Sequence, residues 1–221
     1  MSTTSIPEFK IILCGDYGVG KTSIFRRFLN DTFIDTSKLS RTQTRQSTLG
    51  LDQYSREFEV HSSNGFSRIK IQLWDTGGLE RVASITNSYY KFSEAALLVF
   101  DMTSLETFHS LSHHLLEILS MAENAKIFLI GNKSDLKHQR QVSDDDIELF
   151  IEQFPKFNGF FQVSAKTNDG IQEMWSEISE KLAVGAYSAN AGAFKLHQIN
   201  YDDDNGDDGN IHPTANTSCC S

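Results

Sequence analysis

A glycine-rich segment near the N-terminus has the spacing of a phosphate-binding loop. Residues 15–22 read GDYGVGKT, which fits the pattern G-x-x-x-x-G-K-[ST], and they lie between an apolar run and an amphipathic run. Glycines let the backbone curve tightly, so that amide N–H groups and a helix N-terminus surround phosphate oxygens. Lys21 supplies positive charge to the terminal phosphates, and the Thr22 hydroxyl can ligate Mg²⁺. The segment predicts binding of a nucleoside triphosphate and does not specify its base.

Two further short motifs indicate the base. NKSD (132–135) follows the apolar run KIFLIG, and SAK (164–166) ends the next predicted strand. Both then lie at the carboxyl edge of the sheet, where open α/β sheets bind ligands. The Asp135 carboxylate can accept two N–H bonds from the edge of guanine, whereas adenine would leave it unpaired, and such discrimination reaches about 10⁴- to 10⁵-fold. Together the motifs predict a guanine nucleotide.

Apolar and amphipathic runs alternate along the chain, which predicts an α/β fold. The predicted strands are 9–15, 55–60, 68–74, 95–101, 126–132 and 160–165, and the predicted helices are 21–30, about 105–121, about 143–154 and about 171–183. This alternation predicts one domain with a six-stranded, mostly parallel sheet and about five helices. Asn64-Gly65 is a turn signal, so the second and third strands should form a hairpin at one edge.

Composition limits the class of protein. The 221 residues carry a formal net charge of −9, which disfavours general binding to nucleic acid. No apolar run is long enough to span a bilayer, and the N-terminus lacks a secretory signal, so we expect a cytosolic protein. Residues 184–221 contain five Asp and one Lys, with no Glu or Arg. We therefore predict a flexible arm at 1–8, a domain at 9–183 and a disordered tail at 184–221.

The order of these motifs resembles that of the Ras-like small GTPases. GDYGVGKT, DTGG (75–78), NKSD and SAK match their four nucleotide motifs across 9–183, and KIQLWDTGG, RVASITNSYY and ALLVFDMT resemble segments typical of Rab proteins. The ending CCS resembles a Rab prenylation site at Cys219 and Cys220, and two lipid chains give stable membrane attachment where one is marginal. The resemblance implies a P-loop NTPase small G domain that acts as a guanine-nucleotide switch in vesicle traffic.

The resemblance also assigns roles to individual residues. Thr22 ligates Mg²⁺ directly, Asp75 holds it through water, and Thr48 joins them only when GTP is bound. Phe33 packs edge-on against the guanine, and the Gly78 amide senses the γ-phosphate. The implied nucleotide-binding residues are Gly15, Asp16, Tyr17, Gly18, Val19, Gly20, Lys21, Thr22, Ser23, Phe33, Thr48, Gly78, Asn132, Lys133, Asp135, Leu136, Ser164, Ala165 and Lys166.

Three departures from the family pattern bear on hydrolysis. Leu79 stands where these GTPases usually have the glutamine that orients the attacking water, and leucine has neither donor nor acceptor. Tyr17 places a bulky ring in the phosphate loop. The first switch is long, polar and basic, so that Thr42 and Thr44 are rivals to Thr48 for the metal. We therefore expect slow GTP hydrolysis.

Two more residues mark this sequence as divergent. Arg45 precedes Thr48 by three residues, the spacing of the built-in arginine of heterotrimeric G-protein α subunits, and such an arginine is worth about 10³ to 10⁵ in rate. The alternative interpretation of Arg45 is a solvated loop charge. Gln53 stands where Rab proteins usually carry an aromatic, which leaves Trp74 and Tyr89 to form the apolar part of the effector surface.

Two functions remain as hypotheses. The first is a slow GTPase that still cycles; the second is a GTP-loaded scaffold with negligible hydrolysis. For either, the resemblance implies effectors at the two switches, an exchange factor, an activating protein, a prenylation escort and a GDP-dissociation inhibitor. It also implies a monomer that does not bind nucleic acid, at the cytosolic face of an intracellular membrane and in a cytosolic pool.

Overall fold

The computed structural model describes residues 6–34, 52–62, 65–77 and 90–197 of the chain. Its strands are β1 (Glu8–Cys14), β2 (Asp52–Ser62), β3 (Gly65–Asp75), β4 (Ala95–Asp101), β5 (Lys126–Asn132) and β6 (Phe157–Gln162). Its α-helices within those ranges are α1 (Lys21–Asn30), α2 (Leu105–His109), α3 (Leu111–Met121), α4 (Asp144–Gln153) and α5 (Ile171–His197). The chain divides into two units, residues 1–186 and 187–221, and the site described below lies in the first.

The six strands form one sheet in the order β2-β3-β1-β4-β5-β6. All neighbouring pairs are parallel except β2 and β3, which run antiparallel as an edge hairpin with Ser62 opposite Gly65. Both the mostly parallel sheet and the edge hairpin are therefore confirmed, while residues 63–64 of the predicted turn lie outside the described ranges. Because parallel strands end at the same edge, the segments after β1, β4, β5 and β6 converge there.

Helices cover both faces of the sheet, which is why its central strands are mostly apolar. All seven residues of β4 are buried. On one face, Phe28 of α1 and Trp175 of α5 are fully buried with ring centroids 4.6 Å apart. On the other face, Phe108 of α2 packs 5.1 Å from Phe100 of β4 and 5.5 Å from Phe150 of α4. Burial on both faces fixes the sheet as a rigid support for the loops at its edge.

Several element boundaries differ from the predictions. The predicted helix 105–121 is two helices that meet at Ser110, whose hydroxyl and amide both donate to the Glu106 carbonyl, at 3.0 and 3.1 Å. The last strand is 157–162 and not 160–165, because the Ser164 amide donates to Asp169 within the following loop, at 2.9 Å. This difference places SAK in a loop and not in a strand.

The ends of four other elements also extend past their predicted limits. β3 covers Gly65–Asp75, beyond the predicted 68–74. β1 begins at Glu8, which pairs with Lys70 of β3, and β2 begins at Asp52, which pairs with Asp75. α5 continues to His197, beyond the predicted domain limit at Ala183. Within the described part of the chain, no helix combines the length and the apolar character needed to cross a membrane.

Candidate nucleotide-binding site

Two glycines let the phosphate loop, residues 15–22, pass close against the sheet. Gly15 has φ 131°, and a Cβ added there would overlap the carbonyl oxygen of Val99 in β4. Gly20 has φ 101°, and a Cβ there would overlap the side-chain amide of Asn132 at the end of β5. Both positions combine a left-handed backbone with a lack of space, so only glycine fits. The loop thus lies directly over the ends of β4 and β5.

Lys21 folds back over the loop that precedes it. It is the first residue of α1 and is 5% exposed. Its Nζ donates to the carbonyls of Gly15 at 2.6 Å and Asp16 at 2.8 Å. Gly20 is the N-cap residue of this helix and makes no side-chain hydrogen bond to it, and the first amides of an α-helix have no partner within the helix. An ammonium group and uncapped helix amides together favour an anion at this position.

Thr22 and Asp75, two of the predicted metal ligands, lie together. Asp75 ends β3 and is fully buried, and its Oδ1 accepts from the Gly77 amide at 3.1 Å. Burial raises the pKa of Asp75, while hydrogen bonds from Thr22 and Gly77 and the charge of Lys21 oppose that rise. Within the described ranges, its Oδ2 has no hydrogen-bond partner. A buried carboxylate oxygen without a partner, beside a hydroxyl, fits hydrated Mg²⁺, which prefers oxygen ligands and keeps several waters.

Asn132 joins the phosphate loop to the loop after β6. It ends β5 and is 2% exposed. Its Nδ2 donates to the Val19 carbonyl at 2.8 Å, and its Oδ1 accepts from the Ala165 amide at 3.1 Å. One side chain therefore fixes the distance between the predicted phosphate site and the predicted base site.

The two predicted base motifs contact each other directly. Oδ1 of Asp135 accepts from the Ser164 hydroxyl at 2.7 Å, and its Oδ2 lies 3.9 Å from Nζ of Lys166. Arg27 of α1 holds the same loop, because it donates from Nε to the Ala165 carbonyl and from Nη2 to the Lys166 carbonyl, both at 2.7 Å. The Asp135 carboxylate is thereby held in a fixed orientation.

A cavity of about 240 Å³ lies between these loops. Its lining residues are Gly18, Gly20, Ser23, Phe33, Asn132, Lys133, Asp135, Leu136, Ala165 and Lys166. All ten belong to the set that the sequence predicts for the nucleotide. Phe33 is half-buried in this wall, whereas Tyr17 is 59% exposed in the phosphate loop. The structure thus gathers both base motifs, the phosphate loop and Phe33 around one space.

The sequence also does not predict two contacts between side chains in this region. Lys133 has φ 64°, and its Nζ forms an ion pair with Oδ2 of Asp101 at 2.6 Å. Asp16 of the phosphate loop contacts His114 of α3, with Oδ1 2.8 Å from Nε2. The sequence does carry one signal for the second contact, because a carboxylate inside an anion-binding loop calls for a positive or donating neighbour.

The structure describes only some of the remaining predicted residues. Gln53 pairs with Trp74 across the β2–β3 hairpin, while the interpretation of these residues as part of an effector surface stays a prediction. The positions outside the described ranges are Arg45, Thr48, Gly78, Leu79, Tyr89, Cys219 and Cys220, together with the rival metal ligands Thr42 and Thr44.

The fold and the loops define a class of protein: a P-loop α/β domain that presents a phosphate loop, a buried acidic residue and two base-type motifs at one sheet edge. Comparison with known proteins narrows this class. The model of the Ras family matches residues 10–184. Ras-related protein Rab11C of Lotus japonicus is 37% identical over 193 residues, covering 84% of this chain and 83% of the relative.

Two further relatives carry similar names. Ras-related protein Rab2BV of Beta vulgaris is 40% identical over 171 residues, covering 77% of this chain and 73% of the relative. Human Ras-related protein Rab-19 is 35% identical over 175 residues, covering 79% and 75%. The chain belongs to the Ras family of small GTPases and is similar to its Rab members.

Proposed function

We propose that the protein is a Rab-type guanine-nucleotide switch that binds GTP and GDP with Mg²⁺ and hydrolyses GTP slowly. The observation that carries the proposal is the pair of contacts made by Asn132. They join Val19 of the phosphate loop to Ala165, beside Asp135, across a cavity of nucleotide-binding residues. A site built this way binds a base at one end and phosphates at the other.

The residues of the chain supply binding and orientation. Lys21 and the backbone of the phosphate loop hold the phosphates, and Asp135 accepts the N–H groups of guanine. Thr22 and Asp75 would hold the metal, with Thr48 as a third ligand in the GTP state. Mg²⁺ held there would supply positive charge that offsets the negative charge developing during phosphoryl transfer.

Slow hydrolysis follows from Leu79, which cannot hydrogen-bond the attacking water. The same residue favours a second candidate function, a GTP-loaded binding scaffold with negligible hydrolysis. Arg45 bears on the choice, because an internal arginine finger would leave measurable turnover without an external activator.

Membrane attachment through Cys219 and Cys220 completes the proposal. Lipidation of both cysteines would place the switch on the cytosolic face of an intracellular membrane, where it recruits effectors. Exchange and activating proteins, a prenylation escort and a GDP-dissociation inhibitor would act on it there. Changing both cysteines to serine is then expected to move the protein to the soluble fraction of cells, whereas continued membrane association would contradict this part of the proposal.

Guanine recognition is tested by Asp135→Asn, with Asp145→Asn as a matched control. Asp145 is an exposed carboxylate on α4, so the control makes the same chemical change away from the cavity. Asp135→Asn is expected to weaken GTP binding and to shift preference toward xanthine nucleotides, whose edge offers an acceptor at that point. Equilibrium titration with labelled nucleotides measures both, and unchanged GTP affinity in Asp135→Asn would refute the base site.

Single-turnover GTP hydrolysis separates the two candidate functions. Leu79→Gln is expected to speed hydrolysis about 10-fold or more if the water geometry is otherwise that of Ras-like enzymes. A parent chain with no turnover above that of free GTP favours the scaffold. Arg45→Ala, compared with Arg41→Ala as a loop control, tests the internal finger, and parent rates in both variants would exclude it.

A further inference from the structure

The phosphate loop carries a negative charge where an anion is to be bound. Asp16 immediately follows Gly15 in that loop, and its Oδ1 lies 2.8 Å from Nε2 of His114. His114 is 8% exposed, so the contact is shielded from water on the side of α3. A second carboxylate, that of Glu117, lies 3.6 Å from the other ring nitrogen. The imidazole therefore stands between two carboxylates behind the phosphate loop.

Asp16 is also in contact with the main phosphate-binding side chain. Its carbonyl accepts from Nζ of Lys21 at 2.8 Å, while its carboxylate faces His114. A movement of Asp16 would therefore displace one of the two carbonyls that orient the ammonium group of Lys21. The contact from α3 acts at the start of a loop whose shape determines where phosphate oxygens bind.

We propose that His114 is a positioning residue of the nucleotide site, which acts through Asp16 to hold the phosphate loop and Lys21 in their binding arrangement. It also supplies a donor to a carboxylate that would otherwise repel the phosphates. This inference rests on the proposed nucleotide switch and adds to it a coupling between α3 and phosphate binding. Among the described residues, His114 is not one of those that line the cavity, so its effect on the ligand is indirect.

A purely structural role for His114 makes a different prediction. The side chain lies on the buried side of α3, near Leu111, Leu115 and Ile118, and a substitution there would lower stability through packing alone. Packing would be independent of Asp16, whereas positioning requires it. The test therefore measures the rate of nucleotide release and its dependence on both residues.

The experiment measures dissociation of a fluorescent GDP analogue from the full chain by stopped flow at fixed Mg²⁺. His114→Phe keeps a ring and removes the donor, and we expect about tenfold faster release, the value for loss of a charge-assisted hydrogen bond. His114→Gln restores a donor and is expected to release GDP within about threefold of the parent rate. His113→Phe is the matched control, because that neighbouring histidine is 74% exposed and lies 3.5 Å from the same Glu117.

The double variant distinguishes the two roles. In the His114→Phe background, Asp16→Ala is expected to cause no further acceleration, because the contact is already lost. Parent-like release from His114→Phe, or an Asp16→Ala effect that is the same in both backgrounds, would overturn the inference while leaving the nucleotide switch intact. If His114→Phe does not fold, His114→Gln and Asp16→Ala alone decide, since positioning requires near-parent release from the first and a changed rate from the second. A folded parent chain that binds no GDP would instead overturn the proposed function and this inference with it.

Discussion

Replacing Asn132 with alanine tests whether one buried amide holds the two ends of the site together. The change removes the hydrogen bond to the Val19 carbonyl and the one from the Ala165 amide, and both of those residues are buried. A buried polar group that loses its partner costs about 1–3 kcal/mol. We therefore expect the free energy of unfolding to fall by about 2–6 kcal/mol, from two such groups.

Asn158 provides a matched control, because its side chain also forms a hydrogen bond with a backbone group that is shielded from water. Its Oδ1 accepts from the Ile127 amide at 2.9 Å, near the start of β5 and away from the cavity. Asn158→Ala should lower stability by about 1–3 kcal/mol and leave nucleotide release unchanged. Asn132→Ala should lower stability and also accelerate GDP release, by about tenfold for each 1.4 kcal/mol lost from binding.

Urea denaturation followed by circular dichroism gives the stability, and dissociation of fluorescent GDP gives the release rate. Asn132→Asp sharpens the test, because it keeps the acceptor for Ala165 but turns an oxygen toward the Val19 carbonyl. It should be at least as harmful as alanine despite its similar shape. The reasoning would be refuted if Asn132→Ala unfolded within about 0.5 kcal/mol of the parent, or if Asn158→Ala accelerated release equally.

Three further predictions concern residues outside the cavity. Hydrogen bonds from Ser143 lower the pKa of Asp146, so this capping box stabilises the fold above the ordinary pKa of Asp, and that stabilisation is lost as the pH falls. Ser143→Ala should therefore lower the melting temperature at pH 7, and the difference in melting temperature from the parent should become smaller in acid. Phe92 has φ 62° and its side chain is 90% exposed. Phe92→Gly should raise the melting temperature by about 1–4 °C, because removing about 1–2 kcal/mol of strain from this left-handed backbone outweighs the entropic cost of glycine in the unfolded chain. Arg27→Lys should speed GDP release, because one ammonium group cannot reproduce the two hydrogen bonds that the guanidinium donates to the loop after β6. An unchanged release rate would show that this loop keeps its conformation without those hydrogen bonds.

The strands, the edge hairpin and the binding motifs could be predicted from the sequence because they depend on local patterns, whereas the order of the strands in the sheet was not among the predictions. Central strands buried on two faces are nearly continuous apolar runs, and the runs that form β4 and β5 match their predicted limits. The predicted last strand lies three residues too far along the chain, because the apolar character continues into Val163 while the chain already turns through the hydrogen bond from the Ser164 amide to Asp169. Periodicity does not report where a backbone amide finds its partner.

Contacts between distant segments could not be predicted in the same way. Asp16 and His114 are 98 positions apart, and Arg27 and Ala165 are 138 apart. Neither His114 nor Arg27 belongs to a recognisable motif, and each reaches its partner only once the sheet has brought α1, α3 and the loops together. The sequence predicts the motif residue Asn132 beside the base, but its hydrogen bond to Val19 depends on the positions of both loops.

These unpredicted contacts share one property: in each, a side chain holds a binding loop, which Arg27 and Asn132 do through backbone carbonyls and His114 does through the carboxylate of Asp16. The phosphate loop presents amides and one ammonium, and Arg27, Asn132 and His114 approach the binding loops from three separate elements. A backbone-lined site needs such support, because loops without it would lose conformational entropy on each binding event. The motifs therefore specify which ligand binds, while side chains outside or between the motifs determine how long it stays bound. Substitutions at these three positions should change the rate of nucleotide release more than they change the preference for one base over another.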